Sequence, residues 1–599
     1  MSTKAGTTGI SRRDFLKGAS AIAAATLLSG VTPAFAENAT SEDLKEDAIH
    51  ADYSVINTDI LVIGGGNMGI YVARQAMKEG HSVAIIDKGV FRHNGTSGMN
   101  WEHGNTTDVI HDFGGYPVLK SLVVNGEAAV NAINFMGGKT DMMLDEINLG
   151  ETFALRADDG SIDNIHCQFV KHHMDAIADN DAINIYDRVL ITDIFVSNGV
   201  CKGVMGIYLP TGEFTVFRAN AVVDCTGGCT WMFGWLGVSA YSNAVQDNTG
   251  DIEAALYRNG YGVINSEICE YDLSTAEPIG LATGFGGTLN VDSREPKNLF
   301  GVDGAPLLPD PDNPNYTILR EYFTQNMARA IFVEKRGTEH DGALYQITPE
   351  FIETGRPFNR RNAEFLTNTF GVDLYSEPLE VIIEMYEKGG FPYPDAKQMT
   401  EIPGFFIGRN YQGRGFTNMN HMVGPYTGHC AAEYANNVKE DEMIDWSSVE
   451  KEYQRLQEIR TRKVENGIRP HVVRQAIQNA AHKGLGVYRT TEGLKETIAE
   501  LRRIEKEDIP RMVLEDDSPI YSKEWKEAIE NYNMLDDALL TAEGALRREE
   551  SRGYCIRAEY PEQDDENFAC WLEARKVDGE ITFKKIWPPV LDETKVVVK

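Results

Sequence analysis

Neither Cys-x-x-Cys nor Cys-x-x-Cys-His occurs in this 599-residue sequence, and its eight cysteines are scattered. Covalent c-type haem is thereby excluded. Cys167, Cys201, Cys225, Cys229, Cys269, Cys430, Cys555 and Cys570 offer no iron–sulfur spacing either. Cys225 and Cys229 are the one close pair, and they read as two partly buried thiols rather than metal ligands. No metal is expected. Positive charge is also scarce: Lys and Arg number 57 against 90 Asp and Glu, a net charge of −33. That balance argues against nucleic acid or an anionic membrane as partner and fits a soluble protein able to meet a basic one. Beyond the N-terminus no apolar run is long enough to span a bilayer. What the chain has is bulk. With 42% hydrophobic and 25% charged residues it supports two to four domains around large cores.

The N-terminus departs from the rest. Ser11-Arg12-Arg13-Asp14-Phe15-Leu16-Lys17 precedes an Ala-rich apolar run, Ala19 to Leu28, and Ala34-Phe35-Ala36 offers small residues for cleavage. This is similar to a twin-arginine export signal, an address for proteins exported already folded. It implies a periplasmic or otherwise extracytoplasmic destination, with any cofactor loaded before export. No cysteine follows the run, so a lipoprotein is not expected.

The stretch Asp59 to Lys88 organises the remainder. An apolar run, Ile60 to Ile63, meets Gly64-x-Gly66-x-x-Gly69; a helix-compatible segment follows, then a second apolar run ending on Asp87. This spacing predicts strand, tight turn, helix and strand. Gly64 allows the turn, Gly66 lets backbone approach a pyrophosphate, and Gly69 lets helix pack on strand. The helix N-terminus, opening on Asn67 and Met68, offers N–H groups and a positive dipole end to phosphates, and Asp87 can accept from ribose hydroxyls. The element alone does not choose between FAD and NAD.

From Asp193 the chain reads as a β-meander turning at Asn198-Gly199 and Thr211-Gly212, then a buried strand, Ala219 to Val223, and a glycine turn. Val222-Val223-Asp224-Cys225-Thr226-Gly227-Gly228 resembles the segment closing the nucleotide fold of two-dinucleotide-domain flavoproteins. Thr249-Gly250-Asp251, Ala254-Ala255 and Asn265-Ser266-Glu267 follow in the order seen in the fumarate reductase and succinate dehydrogenase flavoprotein family. Gly389-Gly390 and Ile402-Pro403-Gly404-Phe405-Phe406-Ile407-Gly408 resemble that family's GG and IPGLYAAG signatures. Gly428-His429-Cys430-Ala431-Ala432-Glu433 resembles its returning FAD helix. Helix-like spacing covers Val449 to Arg460 and Glu492 to Lys506, and Glu550-Ser551-Arg552-Gly553 looks like the terminal segment.

The resemblance runs from about Asn57 to the C-terminus and implies an α/β fold: a two-dinucleotide-binding-type FAD domain, an inserted α+β capping domain and a C-terminal helical domain. The expected division is signal peptide 1–36, linker 37–55, FAD-binding domain 56–241 and 401–440, capping domain 242–400, helical domain 441–550 and C-terminal segment 551–599. FAD is the implied cofactor. Its expected contacts are Gly64, Gly66, Asn67, Met68, Gly69, Asp87, Lys88, Gly98, Thr226, Gly227, Asp251, Gly408 and Gly428. Where some relatives attach FAD through histidine, this chain has Ser97, so FAD is expected without a covalent bond; His93 and His103 are the residues able to overturn that.

In this family arginines and histidines grip fumarate over the flavin, and here that grip is missing. EFxQxHPT becomes Glu267-Ile268-Cys269-Glu270-Tyr271-Asp272-Leu273-Ser274, with Asp272 for histidine. RDxxSxAI begins with Thr324 instead of arginine, HYxxGG has Met385 for histidine, and Asn418 to Val423 replaces NRLGGNS without an arginine. Proton donor and anchor must come from elsewhere: Tyr386, His421 and Arg329 are the candidates, with Arg320 behind them, and Asp272 would face a neutral or cationic substrate or lie off the pocket. The resemblance thus implies an exported FAD-dependent reductase of a non-dicarboxylate C=C bond in anaerobic respiration. A separate cytochrome or FMN protein would donate electrons, with peripheral association to a membrane electron-transfer protein. The alternatives are a dehydrogenase running in reverse, or an electron-transfer flavoprotein subunit of a larger complex.

Overall fold

The computed structural model describes residues 53–91, 93–95, 125–137, 154–156, 162–165, 177, 182–234, 245–275, 298–309, 320–346, 348, 367–373, 375–408, 417–438 and 443–597. Arg12, Arg13, Ser97, Gly98 and His103 lie outside the described residues.

The core strand β1 (Ser54–Ile63) ends in four residues that are almost wholly buried, as expected of a strand covered on both faces of a parallel sheet. Helix α1 (Asn67–Lys78) leads to β2 (Val83–Asp87), which pairs parallel with β1 from Ile60↔Val83 to Ile63↔Ile86. Helix α2 (Gly126–Phe135) follows, and β3 (Ala154–Arg156) forms a separate ribbon with β4 (Ile162–Ile165). Strand β5 (Ile183–Asp187) extends the sheet beyond β2.

The meander is β6 (Val189–Ser197), β7 (Val200–Tyr208) and β8 (Glu213–Asp224). Asn198 and Gly199 carry φ of +52° and +77°, the left-handed pair that a tight hairpin needs. The sequence reading separates the last meander strand from a buried strand starting at Ala219; the structure makes them one. Residues Glu213–Arg218 pair antiparallel with β7, and Val222–Asp224 pair parallel with a later strand, Phe405–Ile407. No turn residue lies between, so the strand changes neighbour without changing direction. The sheet order is β5-β2-β1-β8-β7-β6, with the Phe405–Ile407 strand also on β8.

After α3 (Asp251–Arg258) and β9 (Val263–Ile264), a second sheet stands apart. It comprises β10 (Cys269–Thr275), β11 (Leu299–Phe300), β12 (Gly342–Tyr345) and β13 (Leu379–Lys388), all antiparallel in the order β10-β13-β12-β11; α4 (Arg320–Ala328) lies within this insertion. It is narrower than the segment 242–400: β9 pairs with a C-terminal strand, and α3 is tied to the helical region through Arg258 Nη1, which donates to Asn533 Oδ1 at 2.7 Å.

β14 (Phe405–Ile407) and α5 (Thr417–Ala435) return to the first sheet. The helical region is α6 (Ser447–Thr461), α7 (Pro470–Gly484), β15 (Tyr488–Arg489), α8 (Thr491–Arg503) and α9 (Lys523–Arg547). Thr490 and Ser522 cap α8 and α9 by accepting from Gly493 N and Trp525 N. Helix α9 buries Glu530, Asn531, Asn533, Asp537 and Thr541 as well as its apolar stripe. β16 (Ile556–Arg557) pairs with β15, and β17 (Trp571–Val577) pairs with β9 and β18 (Glu580–Ile586). Among the described residues no helix is long and apolar enough to cross a membrane.

Candidate functional site

The glycine turn is sterically exacting. Gly64 has φ of +99°, and a Cβ there would stand 2.5 Å from Cys225 O; a Cβ on Gly69 would stand 2.0 Å from Gly64 O. Gly66 precedes α1 with no side-chain cap, so the first-turn N–H groups of Met68 and Gly69 have no intrahelical partner. Asp87 is buried and supports the turn: Oδ2 accepts from Gly65 N at 3.0 Å, and Oδ1 from Gly89 N at 2.9 Å and Asn94 Nδ2 at 2.8 Å. Burial raises the Asp87 pKa, and these donors draw it back. A carboxylate has about four lone-pair sites, so capacity remains for a ribose hydroxyl.

The carboxyl ends of β1, β8 and β14 converge beside this turn. Cys225 N donates to Ile63 O at 2.8 Å, Gly408 N to Asp224 O at 2.9 Å, and Thr226 Oγ1 to Asp224 Oδ1 at 2.6 Å. A Cβ on Gly408 would meet Cys225 Sγ at 2.6 Å, and one on Gly227 would meet Asn248 Nδ2 at 2.9 Å. The chain leaves β1 toward β2 on one side while β8 lies on the other. This is the switch point where open α/β sheets bind ligands. A glycine-lined cleft with a helix N-terminus at one end and a buried acid on β2 fits a dinucleotide.

Two of the expected contacts also have partners within the protein. Gly428 lies inside α5, where a Cβ would stand 2.6 Å from Val72 O and 2.9 Å from Gln75 Cβ: it lets α5 cross α1 closely. Lys88 is held by Thr249 Oγ1 at 2.6 Å, Asp251 Oδ2 at 2.8 Å and Glu530 Oε1 at 3.0 Å. Asp251 also accepts from Asn533 Nδ2 at 2.8 Å, so the Thr249-Gly250-Asp251 loop is fixed to both β2 and α9.

Glu530 makes this network pH-sensitive. Burial alone would raise it, but Lys88, Lys526 and Arg474 outweigh burial and hold its carboxyl at about 2, below the usual 4.5. A depressed carboxylate pKa contributes stability above the unfolded value, and that stability is lost as pH falls from 4.5 toward 2. At about 1.4 kcal/mol per unit this amounts to about 3 kcal/mol. Glu530→Gln is expected to lose roughly that much at neutral pH and to flatten the stability profile below pH 4.5, measured by urea midpoints across pH. An unchanged midpoint would remove the network from the stability account.

The proton-donor candidates are not gathered in one place. Cys269↔Lys388 and Glu270↔Glu387 are in register across β10 and β13, but Tyr271 pairs with Met385, which leaves Tyr386 as the extra residue of a β-bulge. Asp272 lies opposite Glu384, so Asp272 and Tyr386 occupy adjacent strands two register positions apart. His421 falls near the start of α5. Arg329 is 69% exposed beside Glu334, on a π-turn following α4. Arg320 opens α4. Thr324 and Met385 are buried.

Sequence reasoning missed two buried charge clusters. Lys388 Nζ lies 2.8 Å from Asp537 Oδ2 and donates to Asp537 Oδ1 and Gly389 O, each at 2.9 Å; both charged side chains are 0% exposed. Burial pushes the Asp537 carboxyl up while the Lys388 ammonium draws it back. Arg548 donates to Glu267 Oε1 at 2.8 Å and Glu550 Oε1 at 2.9 Å, and Arg552 to Glu550 at 2.7 and 3.0 Å. The signal was present: a lysine immediately before Gly389-Gly390, and the Glu-Ser-Arg-Gly segment.

Residues 59–108 match the FAD dependent oxidoreductase family, residues 474–594 the fumarate reductase flavoprotein C-terminal domain, and residues 9–29 the twin-arginine translocation signal. The fumarate reductase flavoprotein subunit of Mycobacterium tuberculosis is 26% identical over 67% of this chain and 73% of its own length. One component of the CoM/CoB fumarate reductase of Methanothermobacter marburgensis is 24% identical over 87% of this chain and 98% of its own. The fold matches a mutant of the E. coli quinol fumarate reductase protein FrdA with a TM-score of 0.74, at 21% identity over 90% of this chain and 98% of that one. Adenylylsulfate reductase from Archaeoglobus fulgidus matches at 0.70, with 17% identity over 90% and 97%. Turn, cleft and matched domains together define an FAD-dependent oxidoreductase. Within that class the chain is similar over most of its length to fumarate reductase and succinate dehydrogenase flavoproteins, its cofactor is FAD, and it carries a signal for export across the cytoplasmic membrane.

Proposed function

We propose that this protein reduces the C=C bond of a non-dicarboxylate compound outside the cytoplasm, as terminal reductase of an anaerobic respiratory chain. The observation that carries the reading is the loss of cations at the family's grip positions, which hold Asp272, Thr324, Met385 and the Asn418–Val423 segment. Burial of Thr324 and Met385 supports it, since neither position offers a charged contact. A charge-assisted contact to a carboxylate contributes about 1.5–3 kcal/mol, so losing several removes many orders of magnitude in affinity for fumarate.

Bound FAD supplies the hydride chemistry. Gly64, Gly66, Asn67, Met68, Gly69 and Asp87 would hold its adenosine diphosphate end, with Thr226, Gly227, Asp251 and Gly408 lining the continuation of the cleft. The phenol of Tyr386 or the imidazole of His421 supplies the proton to the carbon opposite the hydride. Electrons come from a separate cytochrome or FMN protein, consistent with a sequence lacking Cys-x-x-Cys-His. FAD is held without a covalent bond and is released by acid.

An anaerobic acceptor screen with reduced viologen tests the reading. Fumarate is expected to be neither reduced nor bound, while a neutral, aromatic or cationic enone or acrylate-like compound is turned over. Brisk fumarate reduction by the purified protein would defeat the substrate argument.

A further inference from the structure

We propose that the buried Lys388–Asp537 pair sets the redox potential of the bound FAD. The proposal rests on FAD as cofactor and on the Thr226 and Asp251 loops as its holders; the substrate reading does not enter.

Three glycine-bearing loops close around this one pair. A Cβ on Gly228 would stand 2.4 Å from Lys388 O, which places the Thr226–Cys229 loop on the last residue of β13. A Cβ on Gly250 would stand 2.9 Å from Cys229 Cβ and 3.6 Å from Asp537 Cβ, which places the Thr249–Asp251 loop on the same cluster. A Cβ on Gly390 would stand 3.1 Å from Lys388 Nζ and 3.5 Å from both Asp537 Oδ1 and Ser266 Oγ. Glycine at each position leaves room for backbone to approach both the charges on one side and a ligand on the other.

The pair is poorly explained by stability alone. A fully buried ion pair loses much of its attraction to desolvation, and apolar replacements are often as stable. Here a lysine is nevertheless placed directly before the Gly389-Gly390 turn, with its partner carried by a different region, α9. The other ionisable groups facing it are Cys229, whose thiol burial keeps protonated, Glu253 of α3 and Cys269 of β10. No bulk water reaches these side chains, so their charges act through a low dielectric.

Two-electron reduction adds negative charge to FAD. A fixed ammonium behind its loops therefore favours the reduced cofactor, and the carboxylates of Asp537 and Glu253 limit that effect. Local charge is one of the levers by which a protein tunes a flavin. The potential is thus a balance between one cation and the buried acidic groups around it. Removing each should move it in a defined direction.

The test is dye-equilibrated potentiometry of the purified holoenzyme, with FAD content and thermal midpoint recorded for each variant. Lys388→Met is expected to lower the potential, and Asp537→Asn to raise it. Each should change the ratio of oxidised to reduced cofactor at a fixed poise by about tenfold, which is about 30 mV for a two-electron couple. Glu253→Gln leaves Lys388 paired and is expected to shift the potential upward as Asp537→Asn does, so it stands in if either pair variant fails to fold. Potentials unchanged in Asp537→Asn and Glu253→Gln, with only thermal midpoints shifted, would overturn the proposal in favour of a structural pair. Loss of FAD from folded variants would overturn it in favour of a holding role.

Discussion

Gly69→Val protein is expected to purify without its flavin. Even the first side-chain carbon would stand 2.0 Å from Gly64 O and 3.2 Å from both Gly64 C and Val62 Cγ1. Two of those atoms are backbone, and Gly64 itself sits at φ +99°, a conformation with few alternatives once a residue presses on it. The strain is relieved only by moving α1 off the turn, which takes its N-terminal amides away from the pyrophosphate they would meet. The ratio of flavin to protein absorbance measures the outcome, with acid-released flavin as the check. Gly428→Ala is the control. It strains the α1–α5 crossing instead and is expected to lower thermal stability while retaining FAD. Loss of FAD in that variant and retention in Gly69→Val would reverse the two assignments.

Tyr386→Phe and His421→Ala are expected to divide the chemistry between them. General acid catalysis contributes about 10²–10⁴-fold, so removal of the true donor lowers turnover of an accepted alkene by that order with FAD content unchanged. Tyr386 has the stronger positional argument. It is the unpaired residue of a β-bulge, and such bulges gather beside active sites. His421 sits near the start of a helix that returns to the dinucleotide sheet. Arg329, the remaining candidate, is exposed beside Glu334. Full activity in both variants would move the donor to a residue outside these elements.

The dinucleotide half was legible because each of its signals is local. Asn198-Gly199 specifies a hairpin by its own backbone preference, and the Gly64–Gly69 spacing states a steric need within six residues. What stayed hidden in the sequence is what depends on a distant neighbour. Gly428 is also placed by Val72, contributed by another helix far earlier in the chain. Lys88 stands in the sequence only as a neighbour of Asp87, and its ion pairs with Asp251 and Glu530 depend on distant segments. Ala219 seemed to begin a strand because the apolar run begins there; continuity with Glu213 depends on which strands lie alongside. Lys388 and Asp537 are separated by 149 positions, and no periodicity announces such a pair.

The pairing of β17 with β9 has a consequence for when this molecule becomes whole. Ala574 and Glu573 meet Val263 and Ile264, Gly126 N donates to Pro589 O, and Val597 N donates to Asn134 Oδ1. Residues synthesised early thus wait for partners that leave the ribosome several hundred positions later. Long-range closures of this kind are slow, and an emerging chain exposes unpaired edges until they form. Vectorial threading through a membrane pore, N-terminus first, would separate these partners for the whole passage. A transport route that accepts only finished proteins keeps them together, and the twin-arginine signal at residues 9–29 addresses the chain to such a route.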